Sequence, residues 1–435
     1  MADLPPLLDG QYDSTHRCQQ WINPEGPLGG PSTFRCRGPS NRWILDERSV
    51  PYLSRSGLLP FARMTSSPQL FKLDPCLLTS LVDRWRPETH TFHFRWGEMT
   101  PTLQGVSMIT GLPLCGIPLV LPPARASWKE DFEQLMGQLI PRTRTDKLAR
   151  GVLISWLVNF IGFPTRVSEE VVRRHLIAYL LYLFGMLFPS GNGEVVNPIF
   201  IRLAEHIALP LDNVEITQYS IGSAMLCQTY RRLCDASYRR KKVSSVAPIL
   251  CVCYIFLQLW SWEHIPVGRP MIEDPVHPYS GHDVQFNCAT MGIRWTYGVL
   301  RWARDLASKC YPLYHEDFET IHHSSIIWNA WHDDYVKHVA EDRGLAIDCY
   351  RDQELWWTRC HLVCLYMVEP QNPERVMRQL DLYQEVPPPP PNCVESISHE
   401  QSNQGKKNHN WLHTQRLWID QWNSNKLTNI VPENR

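Results

Sequence analysis

The sequence has no excess charge of either sign and no long apolar segment. Its 435 residues include 43 Lys and Arg against 44 Asp and Glu, which gives a formal net charge of −1. A chain so close to neutrality has no overall attraction to nucleic acid or to an acidic membrane, although a local basic patch can still act. The longest uncharged apolar run, residues 176–188, is shorter than the ~20 residues that cross a bilayer. We therefore expect neither a transmembrane helix nor a membrane partner.

The chain also begins without the basic and apolar regions of a signal peptide. Its 14 cysteines are scattered and lack the regular spacing of a disulfide scaffold. Both observations favour reduced thiols and a location in the cytosol or the nucleus.

No motif for cofactor-dependent chemistry is present. There is no glycine-rich loop of the kind that binds the phosphates of a nucleotide. Pyridoxal-dependent transamination needs a buried lysine for the Schiff base and a carboxylate that holds the ring nitrogen. The chain has ten lysines beside 33 arginines, and none of those lysines lies in a small-residue turn suited to this cofactor. The sequence therefore predicts no cofactor and does not support aminotransferase activity.

Apolar and aromatic residues are abundant, and they indicate a large core. Hydrophobic residues make up 43% of the chain, which contains 17 tryptophans, and large aromatic side chains bury much area each. The apolar residues recur mostly at helical spacing. We predict a mainly α fold with a few short β-strands, arranged as a single large helical domain over residues 50–391.

The two ends of the chain differ in composition from this central part. Residues 1–49 are rich in proline, glycine and polar residues without an apolar period, so they are predicted to be disordered. Five consecutive prolines, residues 387–391, form a stiff polyproline segment that ends the compact part. In the polar tail, residues 392–435, the apolar side chains between Trp411 and Trp422 predict one helix that packs back onto the domain.

Residues 88–116 combine several local structural signals. Residues 90–94 alternate polar side chains with phenylalanine, which is typical of a half-buried strand. Thr100 is a candidate N-cap for a following helix, and Gly111 is placed to end that helix. The segment therefore predicts a strand, a capped helix and a second strand.

Other segments predict the remaining core. Residues 168–188 begin with a serine and two glutamates, which suit a helix N-terminus, and then turn apolar. Residues 220–238 and 247–262 predict two further buried helices. Residues 321–328 and 357–368 have the composition of strands.

The densest positive cluster runs from Arg239 to Lys242, close to Arg231 and Arg232. It is typical either of a nuclear import signal or of a contact with nucleic-acid phosphates. The alternative is a helix end whose basic side chains complement the helix dipole and face water. The sequence leaves these interpretations open.

Cys360, His361 and Cys364 have a spacing loosely like that of zinc ligands, and Cys349 lies nearby in the chain. The second ligand pair of a structural zinc site is missing, and the pair His322–His323 can join only through folding. Because apolar residues surround these cysteines, they are more simply explained as small buried side chains. No metal site is predicted.

Glu263 and His264 lie together in the aromatic-rich stretch LWSWEHIP. A neighbouring carboxylate and imidazole can act as an acid/base dyad. Buried groups of this kind are more often held by hydrogen bonds within the core, and this is the interpretation that we favour. No catalytic residue is predicted in the chain.

Several motifs, in their order along the chain, resemble the plant mobile domain family, the group that includes the MAINTENANCE OF MERISTEMS-like proteins. The resemblance covers roughly residues 50–423. It is carried by SRSGLLPFARM at 54–64, ETHTFHFRWGEMTPTLQGVSMITGLPLCG at 88–116, YSIGSAMLCQTYRRLCDAS at 219–237, LQLWSWEHIPVGRP at 257–270 and VEPQNPERVMRQLDLYQEVPPPP at 368–390.

The resemblance implies a nuclear plant protein related to domains carried by transposable elements. It implies roles in transposon and gene silencing, genome integrity and meristem maintenance. It also implies a calcineurin-like serine/threonine protein phosphatase and chromatin proteins as partners. Although family members often carry the label "aminotransferase-like", the family supplies no catalytic residue that can be transferred to a position in this chain.

These observations lead to three hypotheses. The first is a non-enzymatic nuclear protein-interaction module in which Trp and Arg side chains anchor the partner. The second is a nucleic-acid-binding domain derived from a transposable element, with Arg231, Arg232 and residues 239–242 as a basic strip, or a transposon passenger without a host role. The third is a hydrolase or transferase that uses Glu263, His264 or the cysteines near 360.

Overall fold

Helices form most of the molecule. The computed structural model describes residues 16–26, 30–36, 43–66, 73–140, 151–162, 167–190, 193–212, 215–238, 248–274, 289–297, 299–302, 310–339, 345–387, 406, 409–424 and 428–429. Within them the α-helices are α1 (Gln19–Ile22), α2 (Val50–Arg55), α3 (Leu59–Thr65), α4 (Pro75–Val82), α5 (Leu103–Thr110), α6 (Trp128–Met136), α7 (Ile154–Leu157), α8 (Glu169–Leu187), α9 (Phe200–Ile207), α10 (Ile221–Ser237), α11 (Tyr254–His264), α12 (Arg294–Tyr297), α13 (Cys310–Thr320), α14 (Asp333–Val339), α15 (Trp411–Thr414) and α16 (Arg416–Asn423).

The strands are short and lie in separate small sheets. They are β1 (Arg35–Cys36), β2 (Trp85–Arg86), β3 (Thr91–Phe94), β4 (Gly97–Met99), β5 (Val152–Leu153), β6 (Val195–Val196), β7 (Ile249–Leu250), β8 (Met271–Asp274), β9 (Val299–Arg301), β10 (Thr358–Cys364), β11 (Met367–Gln371) and β12 (Thr428–Asn429). The pairs β2–β3–β4, β10–β11, β10–β12, β5–β6 and β8–β9 are antiparallel, and β1–β7 is parallel. The prediction of a mainly α fold with a few short strands is confirmed.

Helix α10 lies at the centre of the molecule. It packs against α5 and against strands β2, β10 and β11, and most of its side chains are buried. Helix α8 buries every residue from Leu176 to Leu187, so the longest apolar run of the sequence forms part of the core. Among the described residues, no helix combines the length and the apolar character needed to cross a membrane.

Helix α4 begins where the sequence pattern places it. The Asp74 carboxylate accepts hydrogen bonds from the backbone N–H of Cys76 at 2.9 Å and of Leu77 at 3.1 Å. Pro75 occupies the first helical position, where the missing N–H costs nothing. The same carboxylate accepts the Tyr314 hydroxyl at 2.8 Å and thereby connects α4 to α13.

Helix α5 begins two residues later than predicted. Its N-cap is Thr102, whose hydroxyl accepts the N–H of Gly105 at 3.2 Å. The prediction of Thr100 as the cap is wrong, because the Thr100 hydroxyl instead donates to the His90 carbonyl at 2.7 Å. Gly111 ends the helix with a φ of +65°, the left-handed conformation that favours glycine.

The second strand predicted for the 88–116 segment is absent, because residues 111–116, which follow α5, form no strand. Two of the other predicted elements also need correction. Residues 321–328 contain the short 3-10 helix His323–Ser325 and no strand. Instead of joining a sheet, the N–H of Ile327 bonds the His264 carbonyl at 2.9 Å. The helix predicted over 247–262 starts later, at Tyr254, because Ile249–Leu250 pairs with Arg35–Cys36 as a strand. In both places a distant partner, which local composition does not reveal, decides the structure.

Part of the segment predicted to be disordered is folded. The Arg17 guanidinium bonds the Asp83 carboxylate at 2.8 Å, and both side chains are buried. The N–H of Phe34 bonds the Thr79 hydroxyl at 3.0 Å. The prediction of disorder is therefore wrong for residues 16–26, 30–36 and 43–49, which are held by contacts remote in sequence; the rest of 1–49 lies outside the described residues.

The tail helix predicted over 411–422 is present as two short helices, α15 and α16. Trp411 packs in a small apolar cluster with Val120, Val363 and Val368. The indole N–H of Trp422 donates to the Gly116 carbonyl at 3.0 Å. Both helices thereby lie against the β10–β11 hairpin and the segment after α5. Prolines 388–391 lie outside the described residues.

Candidate interaction site

The first polar group of the 88–116 segment is an ion pair that joins it to the chain after β11. The Glu98 carboxylate accepts two hydrogen bonds from the Arg375 guanidinium, at 2.7 and 2.8 Å, and one from the Thr91 hydroxyl at 2.8 Å. Burial acts to raise the pKa of Glu98, but the Arg375 and His93 contacts outweigh it and lower that pKa. Burial also lowers the pKa of His93 to about 4. These hydrogen bonds hold the 88–116 segment against the chain after β11, so the group has a structural role.

The second polar group joins the same segment to α10 and β11. The Glu369 carboxylate is fully buried, lies 3.2 Å from the His90 imidazole Nε2 and forms an ion pair with Arg231. His90 has a φ of +54°, an unusual conformation for a residue with a side chain. Its Nδ1 lies 3.1 Å from the Pro370 carbonyl. Arg231, Glu369 and His90 hold three elements together inside the core.

The predicted basic strip is not available as a continuous surface. Arg231 is 4% exposed and engaged by Glu369, so it cannot contact a phosphate without unfolding its surroundings. Arg232 pairs with Asp235 at 3.1 Å and is partly exposed. The stretch from Arg239 to Lys242 lies outside the described residues. The proposed use of Arg231 in nucleic-acid binding is therefore corrected.

The side chains of Glu263 and His264 form hydrogen bonds with different partners. The Glu263 carboxylate forms an ion pair with Arg294 and accepts the Trp295 indole N–H at 2.7 Å. The His264 Nδ1 lies 2.8 Å from the Ile327 carbonyl, and burial lowers the pKa of His264 to about 4. Both side chains are fully buried. This geometry does not form an acid/base dyad.

The cysteines near 360 do not converge on a metal position. Cys360 and Cys364 lie on β10 with His361 between them, and successive strand residues point to opposite faces. The His361 ring packs against the Trp418 ring at a tilt of 38°, with ring centroids 4.2 Å apart. Burial raises the pKa of the Cys360 thiol to about 12, which disfavours the thiolate that a metal needs. Cys349 is buried beneath α5, and the rings of His322 and His323 lie exposed in a turn.

Among the described residues, Cys115, Asp352 and Glu354 do bring one thiol and two carboxylates within 4.8 Å of one another. The Asp352 carboxylate already accepts the backbone N–H of Leu114 at 2.6 Å and of Cys115 at 3.1 Å. Burial and the adjacent carboxylates raise the pKa of the Cys115 thiol. The group therefore ties two chain segments together, which sequence spacing did not indicate.

A groove lies between helices α6 and α9 at the surface. It has a volume of about 360 Å³. We refer to it as the α6/α9 groove; its lining includes Pro122, Trp128, Leu135, Ile199, Ile201 and Arg202. Trp128 and Leu135 lie about two turns apart on α6 and are partly exposed. Partly exposed aromatic and apolar side chains in a concave surface are typical of binding anchors.

Charged side chains of both signs surround this groove. Arg125 and Arg202 are exposed, and Asp131 and Glu205 lie beside them. Burial raises the pKa of the Glu205 carboxyl, Arg173 and Arg202 oppose that effect, and Asp131 adds to it. Aromatic and aliphatic side chains next to charged ones of both signs are residue types found at protein-binding surfaces.

A second cavity lies between the loop 266–269 and helix α13. Its volume is about 320 Å³, and its lining includes Val267, Arg269, Trp302, Tyr314 and Ile321. We refer to it as the Arg269 pocket. Sequence analysis missed both concavities, because a groove exists only once distant elements pack together.

The sequence profile of the plant mobile domain family matches residues 60–435. This chain belongs to that family. Over 393 residues it is 31% identical to the Serine/threonine-protein phosphatase 7 long form homolog of Arabidopsis thaliana. The aligned region covers 89% of this chain and 27% of that protein. It is 27% identical over 390 residues to Protein MAIN-LIKE 2 of the same plant, covering 88% of this chain and 50% of that protein.

The chain is also 30% identical to Protein MAINTENANCE OF MERISTEMS of Arabidopsis thaliana over 233 residues. This aligned region covers 53% of this chain and 45% of that protein. This plant mobile domain chain thus spans between about a quarter and a half of the length of these relatives. None of the relatives is named as an aminotransferase. No solved structure matches the chain.

Proposed function

We propose that this plant mobile domain chain is a non-enzymatic nuclear protein-interaction module that acts in transposon and gene silencing, genome integrity and meristem maintenance. The observation that carries the proposal is the α6/α9 groove, with Trp128 and Arg202 as its principal anchors. Its partly exposed Trp and exposed Arg are the side-chain types that contribute most at protein interfaces.

The placement of the reactive groups supports a binding role rather than a catalytic one. Glu263, His264 and Glu369 are each buried and engaged by neighbouring protein groups. A catalytic acid or base needs to reach its substrate within hydrogen-bond distance, and these groups face the core. The α6/α9 groove is open to a partner, and the described residues that line it include no close pair of nucleophile and base.

The relatives support the choice of partner. One relative is named as a serine/threonine-protein phosphatase homolog and is much longer than the matched region. We propose that a calcineurin-like serine/threonine phosphatase and chromatin proteins associate with this chain. The name of a second relative refers to meristem maintenance, which motivates the biological setting and the proposed nuclear location.

The test is affinity purification of the tagged full chain from plant nuclei, with nuclease treatment, followed by mass spectrometry. Partners should survive nuclease. The variant Trp128→Ala/Arg202→Glu should lose them, because removing two anchors costs on the order of 2–4 kcal/mol of binding free energy. The matched control is Leu139→Ala/Leu417→Ala, which removes two exposed apolar side chains outside the groove (79% and 71% exposed).

Circular dichroism and thermal unfolding must show that both variants remain folded. Partners that disappear after nuclease treatment would instead support nucleic-acid binding. Equal retention of partners by the groove variant and the control would reject the groove as the binding surface.

A further inference from the structure

The Arg269 pocket is a preformed concavity with aromatic walls. Its volume of about 320 Å³ lies at the small end of the roughly 300–1,000 Å³ typical of ligand sites. Trp302 and Tyr314 contribute aromatic surface, and Val267 and Ile321 contribute aliphatic surface. Such a site accommodates a side chain or a small molecule rather than a long polymer.

The turn that carries Arg269 requires a glycine. Gly268 has a φ of +63°, and a Cβ at this position would lie 3.3 Å from the Tyr314 ring. Both the left-handed backbone and the close approach are therefore disfavoured for other residues. The main chain of the loop 266–269 is thereby fixed against α13, and Arg269 is fixed at the edge of the pocket.

Among the described residues, Arg269 has no carboxylate partner of the kind that a largely buried guanidinium usually has. Its Nη2 donates to the Glu263 main-chain carbonyl at 3.3 Å, and its Nε is buried without a hydrogen-bond acceptor. The nearby Glu263 carboxylate is already taken by Arg294 and Trp295. Two guanidiniums therefore share the vicinity of a single carboxylate.

The electrostatics agree with this geometry. Burial lowers the pKa of Arg269; Glu263 and Tyr335 oppose that effect, and Arg294 adds to it. The remaining acidic side chain in the lining, Asp317, has an interaction of its own. Among the described residues, the pocket therefore places a guanidinium without an ion-pair partner beside an apolar cavity.

We propose that the Arg269 pocket binds an oxyanion, a carboxylate or a phosphate, attached to an apolar body of side-chain size. The planar guanidinium offers paired N–H donors that match such a group. Trp302, Tyr314 and Ile321 contact the apolar body. This site is separate from the α6/α9 groove, and its role does not depend on the function proposed for that groove.

The experiment is calorimetric titration of the full chain with phenyl phosphate and phenylacetate, which share a ring and differ in the oxyanion. Three further probes serve as controls. Inorganic phosphate lacks the aromatic ring, benzyl alcohol lacks a charge, and benzylamine carries a positive charge instead of a negative one. The two aryl oxyanions should bind at least about tenfold more tightly than the other three probes, since a hydrogen bond between two charged groups is stronger than one between neutral groups. The relative affinities of phenyl phosphate and phenylacetate show which oxyanion is preferred.

Arg269→Met should weaken binding of the preferred aryl oxyanion by at least about tenfold. The matched control Arg301→Met removes an exposed guanidinium that pairs with Glu273 on the neighbouring β8–β9 hairpin, and it should leave binding unchanged. Arg269→Lys keeps the positive charge but lacks the planar pair of N–H donors, so its loss of affinity should lie between those of the parent chain and Arg269→Met.

The stability of the ligand-free variants distinguishes a binding role from a structural one. Because Arg269 has no ion-pair partner within the described residues, Arg269→Met should not lower the melting temperature. The proposal is overturned if benzylamine or inorganic phosphate binds as tightly as the aryl oxyanions. It is equally overturned if the folded protein binds neither phenyl phosphate nor phenylacetate. It is also overturned if Arg269→Met, or Arg269→Lys should the methionine variant not fold, binds like the parent chain.

Discussion

At the scale of single residues, Arg231 and Arg232 are neighbours with opposite environments. The Arg231 side chain is 5% exposed and pairs with a fully buried Glu369. The Arg232 side chain is 26% exposed and pairs with Asp235, whose side chain is 56% exposed. Consecutive residues of a helix differ by about 100° in direction. Arg231 therefore lies against the strands β10 and β11, whereas Arg232 lies nearer the surface, where its Nη2 also donates to the Tyr366 hydroxyl at 3.4 Å.

Arg231→Met should therefore lower the free energy of unfolding by about 3–5 kcal/mol, because it leaves a buried carboxylate without its guanidinium partner. Urea unfolding followed by circular dichroism measures this change. The adjacent Arg232→Met is the control and should change stability by less than about 1 kcal/mol, as exposed pairs contribute little. Equal effects of the two substitutions would contradict the burial assignment.

At the scale of secondary-structure elements, helix starts differ in what holds them. Asp74 caps α4 through two backbone N–H groups and also accepts the Tyr314 hydroxyl. Ser127 precedes α6, but its side chain makes no capping hydrogen bond and instead reaches Asp131 at 3.1 Å. Only the first of these residues joins two helices.

Asp74→Ala should lower the free energy of unfolding by about 2–3 kcal/mol, since it removes a cap and leaves the buried Tyr314 hydroxyl without this acceptor. The measurement is again equilibrium unfolding in urea. Ser127→Ala is the matched control and should stay within about 0.5 kcal/mol of the parent. A small effect at Asp74 would show that α4 is fixed by packing alone.

At the scale of the whole molecule, several buried imidazoles share one electrostatic property. Burial lowers the pKa of His16 to about 3, and of His93, His264 and His315 to about 4, from the ordinary value of 6.5. Their neutral forms are therefore favoured in the folded chain. Below about pH 6.5 the unfolded chain takes up protons that the folded chain does not, so stability must fall as the pH decreases toward 4.

The free energy of unfolding should drop by at least about 2 kcal/mol between about pH 7 and about pH 4.5, the contribution expected from one such ring. Urea unfolding at the two pH values measures the drop. Replacing the fully buried His264 with glutamine should reduce the difference between the two pH values. His413→Gln, at an exposed position, should leave it unchanged; a pH-independent stability would contradict the prediction.

Much of the fold was predictable because its signals are local. The apolar run of α8, the Asp74-Pro75 start of α4 and the Gly111 end of α5 each depend on neighbours within a few residues. The errors have the opposite cause. Thr100 donates to His90 instead of capping α5, and the segment around Arg17 is ordered by Asp83, 66 positions away.

The candidate site was less predictable than the fold. Sequence analysis identified Trp and Arg as the expected anchor side chains. It did not predict the groove, because α6 and α9 are separated by more than 60 residues, and local periodicity contains no information on their packing. For the same reason, nothing near Arg269 in the sequence indicates that Arg294 and Trp295 take the Glu263 carboxylate.

The sequence by itself determined the helical class, the absence of known cofactor motifs and, through motifs at 54–64, 88–116 and 257–270, membership of the plant mobile domain family. These properties follow from residue type and short-range order. Only the tertiary structure decided which charges are buried in pairs, that Arg269 has no carboxylate partner among the described residues, and where the surface is concave. Desolvation and ion pairing depend on groups brought together from distant parts of the chain, and their distances are set by packing alone.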